Sequence, residues 1–163
     1  MAGGYPLVVN GLQLRTSEAM YQACRFPNNP GIQRRILNVA SPLVAKWISR
    51  GYGDRFGRKD WNNVKDEIMA WCLRVKLVCN YENFGKILDS TGSKSIVEES
   101  RRVSEWGAIS VGRSKLKGEN KLGRMLMELR REYRKEKKRG RIEVAPPSIP
   151  NFRLLGKRIR TLP

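Results

Sequence analysis

Two β-prone runs flank Asn10-Gly11 in YPLVVNGLQL (residues 5–14), and an Asn-Gly step between such runs predicts a hairpin. In the next stretch, TSEAMYQACRF (residues 16–26), Ala19, Met20, Ala23, Cys24 and Phe26 are the apolar set. Glu18, Tyr21, Gln22 and Arg25 fall at i, i+3, i+4 and i+7, so they share one stripe of a helix. Thr16 or Ser17 can cap that helix, and Glu18 sits in its first turn, where negative charge is favoured. The stripe is either a wet face or the wall of a site. The pattern stops near Pro27 and restarts at Pro30 through GIQRRILNV. Ser41-Pro42 then cap and open LVAKWISR, which the pattern ends at Gly51. GYGDRFGRK reads as a Gly-rich basic loop without the GxxxxGK[ST] spacing of a phosphate loop.

Asp60 is the expected cap of the longest helix, whose apolar positions Val64, Ile68, Trp71, Cys72, Val75 and Cys79 recur at helical spacing. YENFGKILDSTG reads as a short helix ending at a Ser-Thr-Gly break, and SIVEES as a strand. WGAISVGRSKLKGEN reads as a long irregular loop. Asn120 is expected to cap a final helix with Leu122, Met125, Leu126, Leu129 and Tyr133 inward. Beyond about Lys138 the pattern fails, leaving the extended APPSIPNF and the basic RLLGKRIRTLP. The expected organisation is a mainly helical α+β domain over 1–137 with a small β-hairpin or sheet, followed by a basic, Pro-rich tail over 138–163.

Charge changes the picture most. The 163 residues carry a formal net charge of +18. Residues 130–163 hold 12 Lys/Arg against 3 Asp/Glu, so half the excess lies in about a fifth of the chain. Such a balance favours anionic partners, and nucleic acid held through basic residues 130–163 is one candidate; a solvated, non-specific tail is the other. The chain has no histidine, which excludes Ser–His–Asp and Cys–His catalysis and every histidine-ligated metal site. Cys24, Cys72 and Cys79 form no CxxC pair and read as reduced, mostly buried thiols. No run approaches the ~20 apolar residues of a membrane span and no secretory leader is evident, so the expectation is a cytoplasmic protein without a membrane partner.

Five pieces in order, TSEAMYQACRF, KDWNNVKDEIMAWCLRVKL, LDSTG…IVEES, EWG and NKLGRMLMELR, resemble the NADAR family, which includes the riboflavin-biosynthesis-intermediate N-glycosidases. The resemblance covers roughly residues 5–135. It implies a compact, mainly helical single domain that cleaves N-glycosidic bonds without a metal or organic cofactor. Its substrates would be ribosylamine phosphates of riboflavin biosynthesis or ADP-ribosyl-guanine adducts. The expected partner is then a nucleotide-like or ribosyl-phosphate small molecule, or an ADP-ribosylated nucleic acid.

Breaking such a bond builds positive charge on the ribose, which a carboxylate stabilises while activating water. The resemblance gives that place to Glu18, whose other reading is a first-turn acid matched to the helix dipole. Gln22 is then a ligand for the ribose hydroxyls or for Glu18, or a solvated amide. Arg25 stands where many relatives carry lysine. It is a phosphate anchor or a surface cation, and it cannot form a Schiff base. Trp61 and Trp106 match two site tryptophans, each able to stack on a base or to serve as core. Gly107 gives room for close backbone approach, and Glu98 lines the pocket from the presumed strand. Asn120 contacts ligand, caps its helix, or does both.

Two departures qualify the resemblance. In RRVSEWG, Val103 occupies the place of an aspartate that usually precedes W-G, and Glu105, two positions later, is a poor substitute. A loss there points to an impaired enzyme or to a protein that binds ADP-ribose or a nucleotide without turnover. The chain also starts MAGGYPL, past a strand with an S-N step that relatives carry, so either the start codon was placed late or the chain is shortened; a missing edge strand would leave the hairpin partly unpaired.

Overall fold

The computed structural model describes residues 4–100, 105–111, 115–137 and 143–162. In chain order the elements are β1 (Leu7–Val9), β2 (Leu12–Leu14), α1 (Ser17–Ala23), α2 (Pro30–Asn38), α3 (Pro42–Phe56), α4 (Trp61–Cys79), α5 (Tyr81–Ser90), β3 (Ile109–Val111), β4 (Lys115–Lys117), α6 (Lys121–Glu136), β5 (Arg153–Leu154) and β6 (Lys157–Arg158). The chain is a mainly helical α+β protein. Among the described residues the strands form three separate antiparallel hairpins, β1–β2, β3–β4 and β5–β6. The fold divides into two compact units, residues 1–81 with 142–163, and residues 82–141.

In the first unit, Asn10 and Gly11 both take positive φ (51° and 77°), the two-residue turn that matches strand twist. The turn sets the register Leu7↔Leu14 and Val9↔Leu12. Leu7, Val9 and Leu14 are thereby turned inward and buried. Helix α1 packs on α2, α3 and α4; at seven residues it is too short to hold itself together in water. Helix α4 is more enclosed than one apolar face requires. Val64, Ile68, Trp71, Cys72 and Val75 are buried as expected, and Met69, Leu73, Lys76 and Leu77 are buried too.

Several local expectations need correction. Helix α3 does not end at Gly51 but runs through it and Gly53 to Phe56, so the expected Gly-rich loop is largely helix. Asp60 occupies the N-cap position of α4 but makes no capping bond; its carboxylate is held instead by the Arg58 guanidinium at 2.7 and 2.8 Å. The presumed strand SIVEES contributes one isolated bridge, Glu99↔Ala108. The expected irregular loop after Trp106 contains the β3–β4 hairpin.

The largest correction concerns the end of the chain. Residues 143–162 are folded onto the first unit, with Val144, Phe152, Leu154, Ile159 and Leu162 buried. Val144 and Leu162 exchange two backbone hydrogen bonds of 3.0 Å, and Phe152 meets Trp71 edge-on at 5.0 Å between ring centres. The β5–β6 turn places Leu155 at φ 49° and Gly156 at φ 81°. A leucine disfavours that left-handed conformation. Gln33 of α2, fully buried, holds it there: its Oε1 accepts the Leu155 N–H at 2.6 Å. The Gln33 Nε2 donates to the carbonyls of Ala23 and Arg153 at 3.1 and 3.0 Å.

In the second unit, Arg130 of α6 is buried and donates from NH1 to Thr91 Oγ1 and the Lys94 carbonyl. Arg134 holds Asp89 at 2.6 Å and reaches the Gly92 carbonyl. A side chain on Gly85 would collide with the Tyr133 ring, so the ring of α6's Tyr133 packs directly on the α5 backbone. Leu122, Leu129 and Tyr133 are buried as expected.

Replacing Gln33 by methionine keeps the volume but strands the Arg153 carbonyl and the Leu155 N–H, while the Ala23 carbonyl keeps the Phe26 N–H at 3.0 Å. Leaving a buried polar group unsatisfied costs about 1–3 kcal/mol. The Gln33→Met variant is therefore expected to lose about 2–4 kcal/mol in urea denaturation; a loss under 1 kcal/mol would show that the amide is not the tie.

Candidate active site

Thr16 caps α1, its Oγ1 accepting the Ala19 N–H at 3.1 Å, and this fixes where the Glu18 stripe points. The stripe is not a wet face. Tyr21 and Gln22 are buried, while Glu18 and Arg25 are half-buried. Gln22 Nε2 donates to Glu18 Oε1 at 2.8 Å. The described residues supply no hydrogen bond to the other carboxylate oxygen. Glu18 is thus an oriented carboxylate with one oxygen left for another partner.

Trp61, the first residue of α4, lies against this stripe. Its ring is 5.1 Å from that of Tyr21 at 48°, and the Arg25 guanidinium sits 5.7 Å from the Trp61 ring centre. The Arg25 side chain is only 20 % exposed. Its Nε is buried and has no hydrogen-bond partner. The acid beside it, Asp54, is 3.9 Å away and fully exposed, too far for a hydrogen bond. A guanidinium in this state is poorly neutralised, and an anion would complete it.

Gly53 makes room for this guanidinium. A Cβ on Gly53, in the last turn of α3, would collide with the Arg25 Cζ and both terminal nitrogens. The Arg25 carbonyl accepts the Arg58 N–H at 2.8 Å, so the chain after α3 runs back past the same residue. Arg58 in turn holds the Asp60 carboxyl below its usual range, chiefly by its hydrogen bonds. None of Tyr21, Gly53 or Arg58 stood out as a site residue in the sequence. Tyr21 belonged to the stripe, but the need for Gly53 is visible only once α1 and α3 are packed.

Behind the wall, Cys72 is wholly enclosed. Burial pushes its thiol well up, the Cys24 thiol beside it adds to the shift, and the negative charge of Glu18 raises it further. Cys24 is buried as well. Neither thiol is disposed to act as a nucleophile.

The second unit gathers the other sequence candidates. Asn120 takes a left-handed conformation (φ 47°) and makes no capping bond. Its Oδ1 accepts the Glu98 N–H at 3.0 Å and its Nδ2 donates to the Ile96 carbonyl at 2.9 Å. The first N–H groups of α6 are satisfied by backbone instead: those of Asn120, Lys121 and Leu122 donate to the carbonyls of Gly107, Glu105 and Trp106. Asn120 is therefore a clamp between segments, and the expected cap is supplied by EWG itself. Ala108 donates to the Glu98 carbonyl at 2.9 Å, which ties Glu98, Trp106, Gly107 and Asn120 into one framework. Glu105 is ion-paired with Lys121 at 2.5 Å. Val103 lies outside the described residues. Among the described residues, no group of three or more Cys, Asp or Glu could hold a metal ion.

Residues 3–134 match the NADAR domain family. The chain belongs to the NADAR family. Within it, N-glycosidase YbiA of Escherichia coli (strain K12) is 34% identical over 133 residues, covering 82% of this chain and 79% of that protein. Riboflavin biosynthesis protein VVA0006 of Vibrio vulnificus is 31% identical over 134 residues, 81% of this chain but 35% of that protein. The NMR structure of the E. coli protein YbiA superposes with a TM-score of 0.66 at 33% identity, covering 82% of this NADAR chain and 76% of that one. The family match ends before the β5–β6 hairpin. No helix among the described residues is long and apolar enough to cross a membrane.

The slot at Gly53 predicts a sign reversal. In the wild-type background Gly53→Ala is expected to destabilise by about 1–3 kcal/mol through overpacking. With Arg25→Ala in place, the same change is expected to stabilise by up to about 1 kcal/mol, because alanine is the better helix former. Denaturant melts of the four proteins in this cycle decide it; the same cost in both backgrounds would place the clash elsewhere.

Proposed function

We propose that the protein is an N-glycosidase that hydrolyses the bond between ribose C1′ and nitrogen in an anionic riboside. Its substrate is a ribosylamine phosphate of riboflavin biosynthesis or an ADP-ribosyl-guanine adduct. The observation that carries this reading is the α1 wall: a carboxylate oriented by Gln22, with the under-neutralised Arg25 further along the same stripe. Glu18 stands in the first turn of α1 and Arg25 just past its last residue, so the two groups mark opposite ends of the wall.

In this mechanism the C1′–N bond lengthens and positive charge grows on the ribose, where the Glu18 carboxylate stabilises it. Glu18 then takes a proton from the attacking water as oxygen bonds to C1′ and passes it to the leaving nitrogen, which departs as the neutral amine while the carboxylate is restored. Gln22 keeps the carboxylate aimed and Arg25 holds the phosphate. Trp61, already against Arg25, offers an aromatic face to a flat base. A second reading, a protein that binds ADP-ribose or a nucleotide without turnover, draws on Val103 standing where relatives carry an acid.

A mass-spectrometric cleavage assay on a ribosylaminopyrimidine phosphate and an ADP-ribosylated guanine oligonucleotide separates the two. Glu18→Gln is expected to lower turnover by ~10²–10⁴-fold with ligand binding retained, the range for a general acid or base. Turnover unchanged by Glu18→Gln would overturn the assignment. Binding without release by the wild type would establish the second reading.

A further inference from the structure

The β5–β6 hairpin and the Pro-rich segment before it border a groove of about 700 Å³ in which Lys157, Arg158 and Arg160 face Pro146 and Asn10. A neighbouring groove of about 630 Å³ shares Pro146, Arg158 and Ile159 with it and adds Arg153. The four cations are exposed, and among the described residues none of them has an ion-pair partner. Glu143 is the one acid in residues 143–162.

The arrangement opposes its own stability. Arg153 and Arg158 stand directly opposite each other in the β5–β6 ladder, and like charges in that position repel. The turn that brings them together carries a leucine in a left-handed conformation. Yet the hairpin is held firmly. Gln33 binds it at the Arg153 carbonyl and the Leu155 N–H. The Asn10 side chain donates to the Arg158 carbonyl at 3.0 Å and accepts the Arg160 N–H at 3.1 Å. Arg58 donates to the Pro150 carbonyl at 2.9 Å. A ladder that repels itself, pinned at both ends beside a groove, is built to hold negative charge.

We propose that this groove binds the sugar-phosphate backbone of a nucleic-acid strand. Repeated phosphates match four unpaired cations along two joined grooves better than a single small anion does. Phe152 and Ile159, the apolar residues beside the cations, are buried and offer no face for a base. Recognition is therefore by backbone charge and carries no sequence preference. The basic end acts as a preformed surface and not as a loose tail. The proposal is independent of the N-glycosidase reading.

Fluorescence anisotropy with labelled oligothymidylate tests it. Four phosphate contacts to a single strand give a plot of log K against log salt with a slope of about −3. The triple variant Lys157→Gln, Arg158→Gln, Arg160→Gln is expected to bring that slope to about −1 and to weaken binding by roughly a hundredfold at 0.1 M salt. Arg34→Gln, Arg50→Gln, Lys59→Gln removes the same charge from exposed positions elsewhere in the unit and is expected to stay within a few-fold of wild type. Equal losses in the two variants, or no binding by the wild type, would overturn the proposal. A single change guards against misfolding: Arg153→Gln is expected to raise Tm while weakening binding, because it removes both the repulsion and a phosphate contact. A fall in Tm, or unchanged affinity, counts against the groove. Turnover of a small ribosylamine phosphate is expected to be the same in all of these variants.

Discussion

A single buried amide connects the parts of the first unit. Gln33 has no access to solvent, yet its side chain joins the last carbonyl of α1, the carbonyl of Arg153 and the N–H of Leu155. The Arg153 carbonyl and the Leu155 N–H would be costly to bury alone. Helix α1 cannot persist on its own length, so its direction, and with it the direction of Glu18, rests on what it packs against. The same amide that closes the end of α1 also sets the turn of the C-terminal hairpin. The candidate site and the basic groove therefore share one structural support.

The α1 wall combines orientation with incomplete neutralisation. Gln22 fixes one oxygen of Glu18 and leaves the other open. Arg25 is held by shape more than by charge: Gly53 gives it space, Trp61 gives it a face, and Asp54 stands too far off for a hydrogen bond. The guanidinium so placed has a buried Nε without a hydrogen-bond partner. The Cys72 thiol behind the wall is held protonated by its burial, and Cys24 is buried beside it; both pack as small apolar groups.

The second unit is organised by polar side chains that bind backbone. Asn120 bridges Ile96 and Glu98, Arg130 holds Thr91 and Lys94, and Arg134 gathers Asp89 and Gly92. This scaffold substitutes hydrogen bonds for the long strands that the segment lacks. It also explains why the W-G step belongs beside the start of α6: the Glu105, Trp106 and Gly107 carbonyls terminate that helix in place of a capping side chain.

The hairpin at Asn10-Gly11, the Thr16 cap, α2, α4, α5, α6 and the mainly helical class were legible in the chain, because local turn chemistry and helical periodicity specify them within a few residues. Family membership was legible too, since it rests on ordered short motifs. The continuation of α3 through two glycines was not, because Gly53 is required by Arg25, distant in sequence, and not by its neighbours. Asp60 and Asn120 looked like caps because their residue types favour that role. A guanidinium in one case and two backbone segments in the other competed for the same oxygens and won. The end of the chain read as a tail because prolines and cations break every period there. Its few apolar residues find their places only against Trp71 and Gln33, partners that lie some eighty and more than a hundred positions away. Local turn chemistry and periodicity determined what each segment could form by itself; packing decided which polar groups were paired and which were left without partners.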